Sequence, residues 1–409
     1  MPFLSLDLCE PLVRAVAERG YLAATPIQQA AIPAVLRGGD VIASAPTGSG
    51  KTAAFVLPIL QSFVGAERPR PLPVRVLILV PTRELAAQIG ESIRFYGRHL
   101  PHVRTVVAFG GVSINPQMLA LRGGADIVVA TPGRLLDLVD SNALHLSSVT
   151  TLVLDEADRL LALGFADELA RVLALLPTRR QNLLFSATLP PAVQALSDAL
   201  LREPTRIAVE GVSLVPDILH RAIEVDVAAR TPLLRHLLRE SGGAQFLVFV
   251  ATKYGADHLV SKLHATGFTA SALHGDLTQG ARTRGLAEFK ARAVQVLVAT
   301  DLAARGLDIA ELPFVVNYDL PRSAVDYQHR VGRTGRAGEA GVAISFVSAS
   351  TEAHFRLIER QHRLDVLRER VAGFEPVETD APAGPGPGGI KGKRPSKKDK
   401  LRRANPSES

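Results

Sequence analysis

The sequence predicts an α/β fold made of two tandem, doubly wound parallel sheets, followed by a disordered basic C-terminal tail. Three observations carry this reading. Short apolar runs alternate with amphipathic helical stretches from Val41 to Val347, the pattern of repeated strand–helix units. The loops with unusual Gly, Thr, Pro, Arg or acidic content all follow a strand's carboxyl end, the edge at which such sheets bind ligands. Finally, 409 residues are too many for one compact core, and a hydrophobic fraction of 47% suffices for two.

In the first half the expected strands are Val41–Ala45, Val76–Val80, Ile127–Ala130, Thr151–Leu154 and Leu183–Phe185, with Arg206–Glu210 as an edge strand. In the second half they are Phe246–Val250, Ala270–Leu273, Val296–Ala299, Phe314–Tyr318 and Val342–Val347, with helices over Tyr254–Thr266 and Arg282–Lys290 among others. The expected division is a first domain over 1–211, a join near Gly211 to Asp217, a second domain over 217–372 and a tail over 373–409.

Composition narrows the function class. No apolar stretch approaches the roughly 20 residues of a membrane span, and Met1-Pro2-Phe3-Leu4 lacks a charged region ahead of an apolar one, so a cytoplasmic protein without a membrane partner is expected. The single cysteine, Cys9, excludes an internal disulfide framework and a cysteine-rich metal site. The net charge of +7 is concentrated at the end of the chain. From Lys391 to Ser409 eight Lys or Arg face only Asp399 and Glu408, which leaves almost no net charge elsewhere. This arm follows a Pro/Gly-rich run, residues 381–389, whose composition predicts a flexible spacer. A basic arm of that kind suits a polyanion, above all nucleic acid; its plainer reading is a solubility element.

The chemistry-bearing motifs point to a nucleotide. Lys51 is the only lysine among the first 252 residues, in a chain that otherwise uses arginine. It stands in Ala45-Pro46-Thr47-Gly48-Ser49-Gly50-Lys51-Thr52, between a strand and a helix. There a compact ammonium meets the β- and γ-phosphates, the glycines admit close backbone approach, and Thr52 holds Mg²⁺. Asp155-Glu156-Ala157-Asp158 follows another strand: Asp155 is the candidate Mg²⁺ partner, and Glu156 the group that orients or deprotonates the attacking water. Such acids are also common helix N-caps, and the upstream phosphate loop favours the chemical reading. The second half has no phosphate loop but carries His329-Arg330-Val331-Gly332-Arg333-Thr334-Gly335-Arg336. Read alone, this cluster is either a salt-bridged, anion-binding surface or a set of guanidiniums for charge on a transferring phosphoryl group.

Taken together, these motifs resemble those of the DEAD-box ATP-dependent RNA helicases, in order, across about residues 3 to 350. Gly20-Tyr21-Leu22-Ala23-Ala24-Thr25-Pro26-Ile27-Gln28 is similar to the family's adenine-reading motif, with Phe3 at the place of its isolated aromatic; Ala24 and Tyr21 depart from the usual residues. The resemblance implies two RecA-like domains, with ATP and Mg²⁺ as cofactors. Gln28 and Phe3 would meet the base, Asp308 the ribose, and Arg333 and Arg336 the γ-phosphate. Asp158, Ser186, Thr188 and His329 would couple the site to the rest of the molecule. RNA would meet Pro81, Thr82, Arg83, Gly111, Thr131, Pro132, Gly133 and Arg134 in the first domain, and Thr252, Gly275, Gln279, Arg282 and Thr300 in the second. These are backbone-binding residue types, so binding without sequence preference is expected.

The implied activity is RNA-stimulated ATP hydrolysis driving local, non-processive separation of short duplexes or remodelling of RNA–protein particles. The associated expectations are ribosome assembly or RNA turnover, ribosomal precursors or RNA-decay machinery as partners, and a monomeric core. The short amino terminus and compact basic tail look most like the bacterial RhlE-type subgroup. Two alternatives from other classes are a DNA helicase or translocase of the same architecture, and an ATP-dependent RNA clamp that does not unwind.

Overall fold

The computed structural model describes residues 2–46, 48–66, 69, 72–100, 103–209, 218–304, 312–335 and 341–377. They form two seven-stranded, wholly parallel sheets with helices on their faces. The first contains β1 (Val41–Ser44), β2 (Val76–Leu79), β3 (Thr105–Ala108), β4 (Ile127–Ala130), β5 (Thr151–Leu154), β6 (Gln181–Ser186) and β7 (Thr205–Ala208), in the spatial order β3-β4-β2-β5-β6-β1-β7. The second contains β8 (Ile218–Glu224), β9 (Phe246–Phe249), β10 (Ala270–Leu273), β11 (Val296–Ala299), β12 (Phe314–Asn317), β13 (Gly341–Val347) and β14 (Arg368–Glu369), ordered β10-β11-β9-β12-β13-β8-β14.

Central strands read as unbroken apolar runs because both faces are covered; β2, β4, β9 and β11 are buried at every residue. The helix Lys51–Gln61 is apolar nearly all round and buried between the sheet and its neighbours, with Phe55 packed on Phe185 of β6 at 5.1 Å between ring centres. Asp40, just before β1, is buried and satisfied three times: Asn182 donates its backbone N–H at 2.7 Å and its side-chain amide at 3.1 Å, and the Arg202 N–H donates at 2.9 Å. That carboxylate ties the starts of β1, β6 and β7 together.

Three strands were not expected from the sequence: β3, β8 and β14. The edge strand expected at Arg206–Glu210 is present as β7 beside β1, whereas the expected join, residues 211–217, lies outside the described residues, as do 381–409. The chain also stays on the second sheet beyond residue 372, where the tail was expected to begin. The ring of Phe374 lies 5.4 Å from that of His236, and the Val377 N–H donates to Asp226 Oδ2 at 2.7 Å. Among the described residues no helix is long and apolar enough to cross a membrane.

Candidate nucleotide and RNA site

Strand order determines which loops meet. In the first sheet β5, β6 and β1 are consecutive neighbours, with Ser44 level with Ser186 and Leu154 level with Leu184. The phosphate loop, the Asp155–Asp158 tetrad and the Ser186–Thr188 loop therefore open side by side at one carboxyl edge.

Gly48 and Gly50 have φ of 82° and 94°, in the left-handed region that glycine adopts without penalty. At Gly50 a Cβ would also crowd the Gln28 amide nitrogen, which packs directly on the loop. Gln28 is buried, accepts from Thr25 N–H at 2.9 Å and donates to Gly50 O at 3.2 Å. This places the adenine-reading candidate directly on the phosphate loop. Phe3 is buried in the short turn Phe3–Leu6, beside the helix Pro26–Leu36 that carries Gln28.

Lys51 is buried, and its ammonium donates to the carbonyls of Ala45 at 2.6 Å and Pro46 at 3.0 Å. Burial lowers its pKa, while the charges of Asp155, Glu156 and Asp158 act in the opposite direction. Thr52 follows it, half-buried, and Thr47 lies outside the described residues.

Asp155 is buried, and desolvation together with the neighbouring Glu156 pushes its pKa up to about 7. Glu156 has a φ of 51°, a strained conformation for a non-glycine residue and one that clusters at functional sites. Its carboxylate lies 3.4 Å from Arg159, and one of its buried oxygens accepts no hydrogen bond. Asp158 accepts from the Thr188 hydroxyl at 2.7 Å and backbone N–H at 3.0 Å, while its own N–H donates to Ser186 Oγ at 3.2 Å. The tetrad is thus bonded to the neighbouring loop on β6.

This donor set fits Mg²⁺ held with a nucleotide. One hydroxyl and one carboxylate are hard oxygen donors that leave room for phosphate and water. Among the described residues no cluster of three or more His, Cys, Asp or Glu forms an all-protein cage.

Among the described residues, two places bring the second half against the first. One is a small pocket, about 10 Å³, lined by Arg159 together with Asp301, Asp326, His329 and Arg333. The other is a larger cleft of about 220 Å³, where Glu84 pairs with Arg282 at 2.9 Å. Arg333 is buried; Asp308 and Arg336 lie outside the described residues.

The RNA-facing candidates also gather by strand order. In the first sheet they follow the adjacent strands β2, β4 and β3, and in the second β9, β11 and β10. Thr82 and Thr252 cap their helices, accepting from Leu85 N–H at 3.3 Å and Gly255 N–H at 2.9 Å. Thr131 and Pro132 open another helix and Gln279 a fourth. The Arg83 guanidinium fills the space a Cβ at Gly111 would need. Gly133, Gly275 and the buried Thr300 also lie at these loops.

Two of the arginines assigned to RNA are held by protein partners in this structure. Arg134 is buried and donates to Val112 O at 2.7 Å, and Arg282 is buried on Glu84. Both fix protein loops.

Two further arginines were not singled out in the sequence. One is Arg159. The other is Arg330, almost wholly buried, which clamps Asp301 through two bonds of 2.6 and 2.8 Å and donates to Asn317 Oδ1 at 2.9 Å and Asp319 O at 2.7 Å. Arg330 anchors the helix Ala324–Val331, which carries His329 and ends before Arg333. Its place inside the Arg/Gly cluster was the available signal.

Comparison with known proteins accords with this geometry. The DEAD/DEAH box helicase family matches residues 25–196 and the helicase conserved C-terminal domain residues 229–338. ATP-dependent RNA helicase DeaD of Mycobacterium tuberculosis (strain H37Rv) is 39% identical over 396 residues, covering 94% of this chain and 69% of the relative. DEAD-box ATP-dependent RNA helicase CshA of Bacillus cereus (strain ATCC 10987) is 41% identical over 359 residues, covering 88% and 67%. Among solved structures, S. cerevisiae Dbp5 bound to RNA and ADP BeF3 superposes with a TM-score of 0.79 at 31% identity, over 90% of this chain and 95% of that one. A DEAD box protein from Methanococcus jannaschii gives 0.53 at 35% identity, over 90% and 99%. On these matches, which span the phosphate loop, the acidic tetrad and the second half, the chain belongs to the DEAD-box family of ATP-dependent RNA helicases.

Proposed function

We propose that this helicase works by a closure cycle in which ATP on the first half and RNA across both halves bring the two sheets together. The observation that carries it is that Lys51, Asp155 and Glu156 lie at one edge of the first sheet, while the arginine cluster reaches that side only from the second, through the cavity shared by Arg159, His329 and Arg333. Lys51 and the loop amides hold the phosphates, and Gln28 reads the base. Glu156 orients the attacking water and takes its proton, and Arg333 with Arg336 meets charge on the transferring group. Thr52 and Asp155 would hold Mg²⁺, which when bound neutralises phosphate charge. Asp158, bonded to Ser186 and Thr188, with His329 of the second half in the pocket it shares with Arg159, links hydrolysis to reopening.

RNA contacts along β2-β4-β3 and β9-β11-β10 grip the backbone, so one strand is held and a short duplex separates locally. The lower TM-score against the M. jannaschii protein, despite its higher identity, accords with two bodies that take more than one relative placement. The two bacterial relatives bear the names DeaD and CshA, which supports the family rather than the RhlE-type subgroup. The same reading includes a cytoplasmic, monomeric core acting on ribosomal precursors or in RNA decay.

The test is ATPase stimulation by RNA and by DNA of one sequence, followed by strand displacement from a short RNA duplex. Stimulation by RNA with strand release is expected. Equal stimulation by DNA would assign a DNA translocase, and hydrolysis without release would assign a clamp.

A further inference from the structure

We propose that Tyr254 and His258 form a platform on which one base of the bound RNA stacks, giving the second half a base contact alongside its backbone contacts. Tyr254 is 78% exposed, the most exposed tyrosine or phenylalanine of those described as exposed. Its ring lies against that of His258 at 5.8 Å between centres with the planes only 10° apart. Both project from the helix Lys253–His264 on the side opposite Ala256, Leu259 and Leu263, which bury against the second sheet. A two-ring stack with an open outer face costs apolar exposure in water and contributes nothing to the core. It is the geometry that takes a third planar ring.

The platform sits at the binding edge. Lys253 pairs with Asp276 at 2.5 Å, and Asp257 pairs with the buried His274 at 2.9 Å. These two pairs tie the first turns of the helix to the loop after β10, bringing Thr252, Lys253, Tyr254, Gly275 and Asp276 into one patch. A threonine hydroxyl and an ammonium beside an exposed ring form a combination suited to a nucleotide, with phosphate on one side and base on the other. The occupant is therefore a nucleobase of a single strand, recognised by its face and not by its edge. This inference rests on the proposed reading that the loops after β9 and β10 face RNA.

The experiment measures binding of the full chain, with a non-hydrolysable ATP analogue, to a ten-nucleotide oligouridylate and to an abasic oligoribonucleotide of the same length. Tyr254→Ala should weaken oligouridylate binding by roughly 5- to 100-fold, the range for one lost base stack, and leave abasic binding unchanged. Tyr254→Phe, which keeps the ring, should bind oligouridylate like the wild type. Lys253→Ala separates the two levels of the argument, since an ammonium at this edge serves both ligands alike. If Lys253→Ala weakens both and Tyr254→Ala weakens neither, or weakens both equally, the stacking platform is overturned while the RNA-facing edge stands. If neither variant changes either affinity, the edge itself is misassigned and the platform falls with it.

Discussion

Charge buried without water separates binding from chemistry residue by residue. Lys51 is desolvated and held against two backbone carbonyls, so its ammonium has few partners to exchange when phosphates arrive. Glu156 sits in a strained backbone conformation beside Arg159, a cost that accompanies a group aimed at a reaction. Lys51→Ala should therefore raise the KM for ATP and lower kcat, because the phosphates are gripped in both the ground state and the transition state. Glu156→Gln should leave nucleotide affinity near that of the wild type and remove most turnover, because its role is confined to the chemical step. Steady-state kinetics with saturating RNA, together with equilibrium binding of a fluorescent nucleotide, distinguishes the two. Near-normal turnover in Glu156→Gln would remove it from the water-activating role. Both residues were legible in the sequence because spacing alone, strand then glycine loop then lysine, or strand then acids, sets their place. Arg159 was not, nor were the protein partners of Arg134, Arg282 and Arg330, because an arginine's partner is a carboxylate or carbonyl brought to it by another segment, and no local pattern encodes that.

Elements follow the same division. Core strands such as β4 and β11 were readable because burial on both faces demands an apolar run. The missed strands lie near or at sheet edges. In β8 the run Ile-Leu-His-Arg-Ala-Ile-Glu mixes polar and apolar residues and is ordered by β13 on one side and the two-residue β14 on the other, where Glu369 takes Arg221 at 2.6 Å. Tertiary pairing, not local preference, makes it a strand. From β8, His220 contacts the helix that carries His329, its Nδ1 lying 2.9 Å from the Tyr327 hydroxyl and the rings stacked at 5.9 Å. Burial, helped by the neighbouring His362, lowers the pKa of His220, while burial pushes Tyr327 up to about 12. For His220 the unfolded chain binds the proton more readily than the fold. The stability at stake is thus fully present above the unfolded value of about 6.5 and is lost as pH falls from there toward the lowered folded value. His220→Gln removes that proton uptake. Its melting temperature should fall less than that of the wild type between about pH 7.5 and 5.5, by differential scanning fluorimetry. An identical fall in both proteins would show that His220 does not titrate across folding.

The whole molecule sets its catalytic half against a half with no phosphate loop, and then adds a basic arm. The eight Lys and Arg between Lys391 and Arg403 hold nearly all the net charge of the chain, while every motif residue lies before position 340. Charge and chemistry are therefore separated along the sequence, and removing one should spare the other. A chain ending at residue 380 loses eight cations, each able to release a counterion from RNA. Its affinity should fall, and the dependence of log affinity on log salt should flatten by at most roughly 5 to 6, at about 0.7 per neutralised single-strand phosphate. Half that change is the expected outcome, because an arm of eight cations does not pair every charge with phosphate at once. ATP turnover at saturating RNA should match that of the full chain. The check is binding to one single-stranded RNA across a salt series for both chains, with turnover measured at saturating RNA. An unchanged slope would make the arm a solubility element, and lost turnover at saturation would draw it into the catalytic cycle.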